Sequence, residues 1–122
     1  MAATDPGQLV DVQLETYNAR DMDAFLATYS IDAEVRDHAM GTLLAKGHSE
    51  MRALYSNVFA DERLHATVAR RIVMGNTVVD HEQRRLTLQG QAGTDEAIAI
   101  YEVVDNKIAR LTLVRGEKKI RG

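Results

Sequence analysis

The sequence contains no cysteine and no tryptophan, and proline occurs once in its 122 residues. The absence of cysteine excludes disulfides, thiolate nucleophiles and cysteine-ligated metal centres. An excess of positive charge is also missing, because 15 basic residues stand against 18 acidic ones and the net charge is -3 at pH 7. No global field therefore draws the chain to nucleic acid or to anionic lipid, and we expect neither as a partner.

Long hydrophobic runs are absent as well. The longest, residues 97–101, is far too short to cross a bilayer, and the first five residues lack the basic and apolar regions of a secretory signal. We therefore predict a soluble, cytoplasmic protein that keeps its N-terminus. The length fits one domain over residues 1–122 with a core of its own, and the basic end at residues 117–122 predicts a solvated tail.

The most prominent pattern is a pair of long strands, residues 64–74 and 77–88, joined at Gly75-Asn76. Glycine and asparagine reach positive φ at little cost, so a tight turn between two runs rich in β-branched residues is the simplest interpretation. At a rise of about 3.3 Å per residue each arm is roughly 35 Å long, and the right-handed twist accumulates along it. The pair should therefore curl into a half-open cup.

Three helices are predicted before this hairpin. Asp5-Pro6 supplies an N-cap and a first helical residue, and the helix that follows should end at residues 18–21. Asp21 then caps a short second helix with apolar residues at 22, 25, 26 and 29. The third helix begins at Gly47, and its apolar stripe ends at Phe59.

Shorter extended segments complete the chain. Residues 33–38 alternate like a strand, residues 89–93 resemble a loose turn, and strands at 96–104 and 107–115 meet at Asp105-Asn106. This order predicts an α+β domain with its helices on one face of a strongly curved antiparallel sheet. Residues 96–104 are apolar on both faces, while the helices cover only one, so we expect a homodimer through the convex face.

Asp37 is the first candidate for chemistry. It follows Val35 on the inward face of its strand and would point a carboxylate into a cavity walled by Phe25, Tyr29 and Tyr55. An apolar environment disfavours the charged form of a carboxylate and makes it a usable general base. The alternative is that Asp37 caps the turn before Gly41, and the sequence leaves both interpretations open.

The strand at residues 77–88 has one face that is apolar at its ends and charged in the middle. If this face looks toward the helices, Glu82 and Arg84 lie inside the cup, as a structural ion pair or as groups that orient a polar ligand. If it faces water, they are ordinary surface residues. We favour the cup because the opposite face has even less to bury.

The histidines give little support to a metal site. His38, His48, His65 and His81 lie on different elements without ligand spacing, so no metal and no cofactor are predicted. His81-Glu82 begins like a zinc-protease motif, but Arg85 stands where the second histidine is needed. His65 could line the cavity mouth as a proton shuttle, or be a partly exposed strand residue.

Aromatic residues supply the expected cavity walls. Tyr17, Tyr29 and Tyr55 lie on apolar helical stripes, where most tyrosines are core residues with the hydroxyl at the rim. We choose Tyr55 as the donor to a carbonyl or developing enolate. The candidate ligand-binding residues are then Tyr17, Phe25, Tyr29, Phe59, His65, Glu82, Arg84 and Tyr101.

Residues 17–25, 32–37, 47–55 and 109–120 together resemble the ketosteroid-isomerase and SnoaL-like polyketide-cyclase branch of the nuclear transport factor 2-like superfamily. The resemblance covers nearly the whole chain. It implies a cystatin-like cone, with three N-terminal helices packed in the concave face of the sheet, that commonly dimerises. The fold hosts isomerases, cyclases, dehydratases, hydrolases and plain binding modules.

The resemblance also implies roles for individual residues. Asp37 falls on the general base of the isomerase, and Tyr55 on the tyrosine that supports its oxyanion hole. The two direct oxyanion donors fall on Gln13 and Ala99, neither of which can do that work. The implied function is a cofactor-independent isomerase, lyase or cyclase acting by proton abstraction on a small carbonyl-containing molecule. The alternative is a non-catalytic module that binds a small ligand or dimerises.

Overall fold

The computed structural model describes residues 5–121, so most of the N-terminal segment in which we expected no secretory signal lies outside the described part. Three helices and six strands follow one another in the described chain. In chain order they are α1 (Pro6–Ala19), α2 (Met22–Ala27), β1 (Tyr29–Asp37), β2 (Thr42–Lys46), α3 (Gly47–Phe59), β3 (His65–Met74), β4 (Thr77–Leu88), β5 (Gln91–Val104) and β6 (Lys107–Ile120).

The strands form one sheet in the order β2-β1-β6-β5-β4-β3. Four of the neighbouring pairs are antiparallel, and β1 pairs with β6 in parallel. The sheet is therefore mixed, whereas the sequence suggested a purely antiparallel one. The α+β architecture itself is confirmed, with α1, α2 and α3 on the concave face.

Local capping signals position the first two helices. The Asp5 side chain accepts a 2.7 Å hydrogen bond from the Gly7 amide, and Asp21 accepts one of 3.2 Å from Ala24, as an N-cap should. The second helix is shorter than its apolar stripe suggested. The amide of Ile108 on β6 donates to the Thr28 carbonyl, so the chain joins the sheet there and Tyr29 becomes the first residue of β1.

The hairpin turns fix the register of the long strands. Met74 pairs with Thr77 across Gly75-Asn76, as predicted, and Val104 pairs with Lys107 across Asp105-Asn106. The turn after β4 is tighter than the predicted loop over residues 89–93. Gln89 and Gly90 both adopt positive φ, at 51° and 76°, and close a two-residue turn, so β5 already begins at Gln91.

The basic C-terminal segment is also more ordered than the expected tail. Residues 117–120 continue β6, and Ile120 pairs with Gly93 on β5. Their side chains are exposed, as expected, but their backbone belongs to the sheet.

A buried ion pair attaches the start of α1 to the sheet. Asp80 is fully buried on β4 and accepts hydrogen bonds of 2.6 and 2.9 Å from the guanidinium of Arg71 on β3. The same guanidinium donates to the Gly7 carbonyl and to the Asp11 carboxylate on α1. These contacts fix the start of α1 against β3 and β4.

The convex face carries a half-buried apolar centre. Val79 pairs with Ile100, and Ile98 pairs with Val114, on the side of the sheet opposite the helices. Ile72 on β3 extends this surface and is 62% exposed. Within residues 5–121, no helix has the length and hydropathy needed to cross a membrane.

Candidate functional site

A cavity of about 250 Å³ lies between the helices and the concave face of the sheet. Its walls are mostly apolar, and Leu14, Leu44, Leu54, Val58, Leu64, Leu86, Leu111 and Leu113 supply most of them. Seven polar side chains also line it: Gln13, Tyr17, Tyr55, Asp61, Glu82, Arg84 and Tyr101. Asn57 and Arg115 line it as well and are exposed, so they mark its mouth.

Glu82 is the acidic group at the centre of this space. It lies on β4, and one carboxyl oxygen accepts a 2.9 Å hydrogen bond from the Tyr101 hydroxyl on β5. Burial raises the pKa of Glu82 to about 7, and the Asp80 carboxylate adds to the rise, while the Tyr101 hydrogen bond and Arg84 oppose it. The carboxyl therefore exchanges a proton near neutral pH.

Glu82 and Arg84 do face the cup, but they do not pair with each other. Arg84 instead donates two hydrogen bonds, of 2.9 and 2.5 Å, to the carboxylate of Asp95 on β5. Asp95 is buried and lies directly opposite Arg84 in the β4–β5 ladder. Because this pair neutralises the guanidinium, Glu82 is left without an ion-pair partner among the described residues.

A chain of hydrogen bonds leads from Glu82 into the core. The Tyr101 hydroxyl lies 2.9 Å from Glu82 Oε2 and 3.4 Å from Gln13 Oε1, and Gln13 Nε2 donates to the Tyr29 hydroxyl at 3.1 Å. A phenol has one proton, so Tyr101 donates either to an ionised Glu82 or to Gln13. If Glu82 is neutral, its carboxyl group can donate a hydrogen bond to the Tyr101 hydroxyl oxygen, and the Tyr101 hydroxyl then donates to Gln13.

Two phenols approach the cavity from the helices. The Tyr17 hydroxyl on α1 accepts a 3.1 Å hydrogen bond from Arg84 Nη1. The Tyr55 hydroxyl on α3 has no hydrogen-bond partner within residues 5–121. Every fully buried side-chain polar atom in that range does have a partner, so the Tyr55 hydroxyl oxygen is not fully buried. The Tyr55 hydroxyl is therefore open to the cavity. Burial raises the pKa of both phenols, so both remain protonated at neutral pH.

Asp37 lies near the cavity without lining it. It pairs with Leu113 at the end of β1 and so occupies the concave side, as the alternation predicted. Its carboxylate accepts a 3.0 Å hydrogen bond from the Met40 amide and lies 3.6 Å from Arg115 Nε. The arrangement is that of the turn cap that the sequence offered as the alternative.

Four further residues that the sequence predicted for the site do not line the cavity: Phe25, Tyr29, Phe59 and His65. Phe25, Tyr29 and Phe59 do not line the cavity and pack behind it, with the Phe25 and Tyr55 ring centroids 4.7 Å apart. His65 also does not line it, and instead borders a separate groove of about 540 Å³ together with Arg85, Glu96 and Lys119. Residues 5–121 contain no cluster of metal-binding side chains.

The sequence did not identify Gln13, Asp95 and Arg115 as residues of the site. Gln13 was considered only as a lost donor, whereas it is buried and links Tyr29 to Tyr101. Asp95 had a usable signal, because a two-residue turn at Gln89-Gly90 places it opposite Arg84. Arg115 at the mouth carries no local signal.

Several solved structures share this architecture. A cystatin-fold protein from Novosphingobium aromaticivorans has a TM-score of 0.81 and 20% identity, over 93% of this chain and 100% of its own. TerC, co-crystallised with polyporic acid, has a TM-score of 0.77 and 18% identity, over 90% of each chain. A protein from Catenulispora acidiphila with a ketosteroid isomerase-like fold, in complex with trimethylamine, has a TM-score of 0.74 and 15% identity, over 86% and 82%.

These likenesses define the fold as the cystatin-like cone of the nuclear transport factor 2-like proteins. The family model of the SnoaL-like domain matches residues 10–111, and the chain belongs to that family. The resemblance read from the sequence is thereby confirmed. No curated protein matches the chain.

Proposed function

We propose that this SnoaL-like protein is a cofactor-independent enzyme that moves a proton on a small carbonyl-containing molecule bound in the cavity, with Glu82 as the acid–base group. The reaction belongs to the isomerase, lyase or cyclase class. One observation carries the proposal. Glu82 is a carboxyl without an ion-pair partner in the described chain, its pKa is raised to about 7, and it faces an apolar cavity that also contains phenol donors.

Glu82 acts first as a general base and then as a general acid. Ionised Glu82 takes the proton from a carbon next to the carbonyl, and the electron pair of that C–H bond forms a carbon–carbon double bond as the carbonyl oxygen becomes an enolate oxygen. A phenol that lines the cavity donates a hydrogen bond to this oxygen and stabilises it. If the substrate also has a carbon–carbon double bond at the β,γ position, the enolate is conjugated with it, and neutral Glu82 returns the proton to the γ-carbon. The carbonyl forms again and the double bond moves to the α,β position, which completes an isomerisation without any co-reactant.

The raised pKa suits this cycle. A general base works best when its pKa lies near the operating pH, because it is then both sufficiently ionised and sufficiently basic. The Tyr101 hydroxyl supports each form, since it donates to the ionised carboxyl and can accept from the neutral one. An ordinary exposed glutamate would be a much weaker base.

The residue implied by the family resemblance is not our choice for the base. The Asp37 carboxylate is held by the Met40 amide and lies beside Arg115, outside the cavity lining. We therefore assign proton transfer to Glu82 and a structural role at the cavity mouth to Asp37.

Small-molecule binding has independent support. Two proteins of the same fold were crystallised with small molecules, TerC with polyporic acid and the Catenulispora protein with trimethylamine. The cavity of about 250 Å³ is near the small end of the range for ligand pockets, roughly 300 Å³ and above. A compact ring compound with a carbonyl group fits the mixture of leucines and phenols.

Hydrogen–deuterium exchange tests the proposal without knowledge of the physiological substrate. A panel of small cyclic ketones is incubated with protein in D₂O, and the loss of the proton signal next to the carbonyl is followed by NMR. Glu82→Gln should slow the enzymatic exchange by about 100-fold or more, the usual contribution of a general base. Asp37→Asn is the matched control and should stay within about threefold of wild type. Equal rates in wild type and Glu82→Gln would contradict the proposal.

A second candidate is a non-catalytic module that binds a small ligand. It is favoured by Gln13 and Ala99, because Gln13 is occupied by Tyr29 and Tyr101, and Ala99 is buried and has no polar group. A ketone that binds in the cavity and exchanges no faster than in buffer would support this alternative.

We also propose that the protein is a homodimer through the convex face. The centre of that face consists of Val79, Ile98, Ile100 and Val114, which are half-buried in one copy of the chain. A second copy of the same sheet would cover them by twofold symmetry.

A further inference from the structure

The direction of one hydrogen bond constrains what Tyr17 can do. Arg84 Nη1 lies 3.1 Å from the Tyr17 hydroxyl oxygen. A guanidinium has only donors, so the phenol oxygen must accept this bond and its own proton must point elsewhere. Within residues 5–121 no acceptor for that proton is found, and Tyr17 lines the cavity. The phenol therefore presents a donor to whatever occupies the cavity.

Arg84 is itself held firmly in place. Its Nε and Nη2 donate to the two carboxylate oxygens of Asp95, and the two residues face each other across the β4–β5 ladder. The side chain of Asp95 is only 5% exposed. A bidentate pair of this kind fixes the plane of the guanidinium, so its remaining nitrogen has a defined position against Tyr17.

The other phenols are less suited to the same task. Tyr101 is engaged with Glu82 and Gln13, and Tyr29 with Gln13. The Tyr55 hydroxyl has no partner within the described residues, so it can rotate and serve as donor or acceptor. Among the tyrosines of residues 5–121, only Tyr17 is held by a cation in an orientation that leaves its proton available.

We propose that Tyr17 is the hydrogen-bond donor that recognises the carbonyl oxygen of the ligand, and that Arg84 and Asp95 are positioning residues that hold its phenol in the donor role. The triad would supply the oxyanion stabilisation that Gln13 and Ala99 do not. As negative charge develops on the ligand oxygen, the neighbouring guanidinium strengthens the donor without direct contact. The catalytic part of this inference depends on the proposed function.

The same geometry restricts the class of ligand. Asp95 neutralises Arg84, and Arg115 at the mouth lies 3.6 Å from the Asp37 carboxylate, so each described cation of the lining already faces an acid. Because Glu82 is an acid in the same cavity, a ligand carboxylate would find no unpaired cation there and a repelling neighbour. A neutral ketone, an enol or a phenol offers one oxygen acceptor without this penalty. The cavity should therefore prefer such oxygen acceptors to carboxylic acids of similar shape.

Binding of substituted phenols tests the inference separately from turnover. Phenols of graded acidity are titrated into the protein at about pH 5.5, where Glu82 is largely protonated, and dissociation constants are measured by calorimetry. Tyr17→Phe should weaken binding of 4-nitrophenol, which is mostly neutral at this pH, by about 3- to 10-fold, the usual contribution of a hydrogen bond between neutral groups. Tyr29→Phe is the matched control, because it removes a phenol hydroxyl that does not line the cavity, and it should change the dissociation constant by less than about twofold. The reverse order would overturn the proposal.

The roles of Arg84 and Asp95 need a measurement that distinguishes a lost orientation of Tyr17 from a loss of folding. In wild type, affinity should vary with the acidity of the phenol, and Asp95→Asn should reduce that dependence. Asp80→Asn breaks a comparable buried pair that does not line the cavity, so it should lose stability and keep the dependence. An unchanged dependence in folded Asp95→Asn would overturn the role of the pair.

Failure of the proposed function has a different signature. If wild type binds phenols through Tyr17 but exchanges no ketone proton, recognition by Tyr17 stands and proton transfer by Glu82 does not. If wild type exchanges ketone protons and Tyr17→Phe neither weakens phenol binding nor slows exchange, proton transfer stands and the inference about Tyr17 is wrong.

Discussion

Tyr101 donates a 2.9 Å hydrogen bond to Glu82, although the strand register places Tyr101 opposite Val78, four residues away along β4. The tyrosine side chain reaches along the concave face to make this contact. Ala97 and Ala99 are the residues paired with Glu82 and Asp80, and their small side chains leave the space for it. A buried carboxyl thus obtains one neutral donor and no counter-ion.

Removing that donor should raise the pKa of Glu82 further. The Tyr101 hydrogen bond stabilises the ionised carboxyl, so Tyr101→Phe should move the Glu82 titration above about 7. NMR of protein labelled with ¹³C at the glutamate carboxyl carbons measures this shift. Ser30→Ala on β1 is a suitable control, because its hydroxyl donates to the Ile108 carbonyl and Ser30 does not line the cavity. A Glu82 titration that stays fixed or moves down would show that the hydrogen bond has another role.

Glu82 should also make stability depend on pH. Its pKa is about 7 in the folded protein and near 4.5 as a free side chain, so between these values the folded state holds the extra proton. Its contribution to stability is therefore complete below about pH 4.5 and is lost as the pH rises through 7. Glu82→Gln should be more stable than wild type at pH 8, by up to about 3 kcal/mol, and nearly equal to it at pH 4.5. Urea unfolding at both pH values measures the difference, and a gap that widens toward low pH would contradict the assignment.

The Arg71–Asp80 pair should matter for stability and little for ligand binding. Asp80 is fully buried, so Asp80→Ala leaves the guanidinium of Arg71 without its main partner and frees the start of α1. We expect a loss of about 3–5 kcal/mol in the free energy of unfolding. Asp11→Ala is the control, because it removes only an exposed contact to the same guanidinium and should cost about 1 kcal/mol or less. Equal costs for the two variants would show that the buried pair does not hold α1.

A charge at the centre of the convex face should dissociate the proposed dimer. Ile100→Glu places a carboxylate in the surface that two copies would bury, so light scattering at micromolar concentration should give a dimer for wild type and a monomer for the variant. Glu62→Lys, in the exposed loop before β3, should leave the dimer intact. A monomeric wild type would end this part of the account.

Local signals in the sequence were sufficient for most of the fold. The N-caps at Asp5 and Asp21 and the hairpin turns at Gly75-Asn76 and Asp105-Asn106 each act within a few residues, and the structure has all of them. The parallel pairing of β1 with β6 joins segments about 75 residues apart in the chain and has no local signal.

The site was predictable to the extent that strand alternation determines it. Alternation along β4 placed Glu82 and Arg84 in the cup, but their partners depend on the β4–β5 register, which the turn at Gln89-Gly90 sets. Because the sequence predicted a loose turn over residues 89–93, it did not predict the register that pairs Asp95 with Arg84. Alternation also placed Asp37 on the concave side, whereas its contacts with Met40 and Arg115 depend on the turn and on β6.

The most direct test of proton transfer by Glu82 compares two pH profiles on one sample. Deuterium exchange of a cavity-bound ketone gives the rate against pH, and ¹³C NMR gives the ionisation of the Glu82 carboxyl over the same range. The account predicts that the rate rises with the ionised fraction of Glu82, with a common midpoint near 7. An exchange rate that rises with a different midpoint, or that persists in Glu82→Gln, would contradict it.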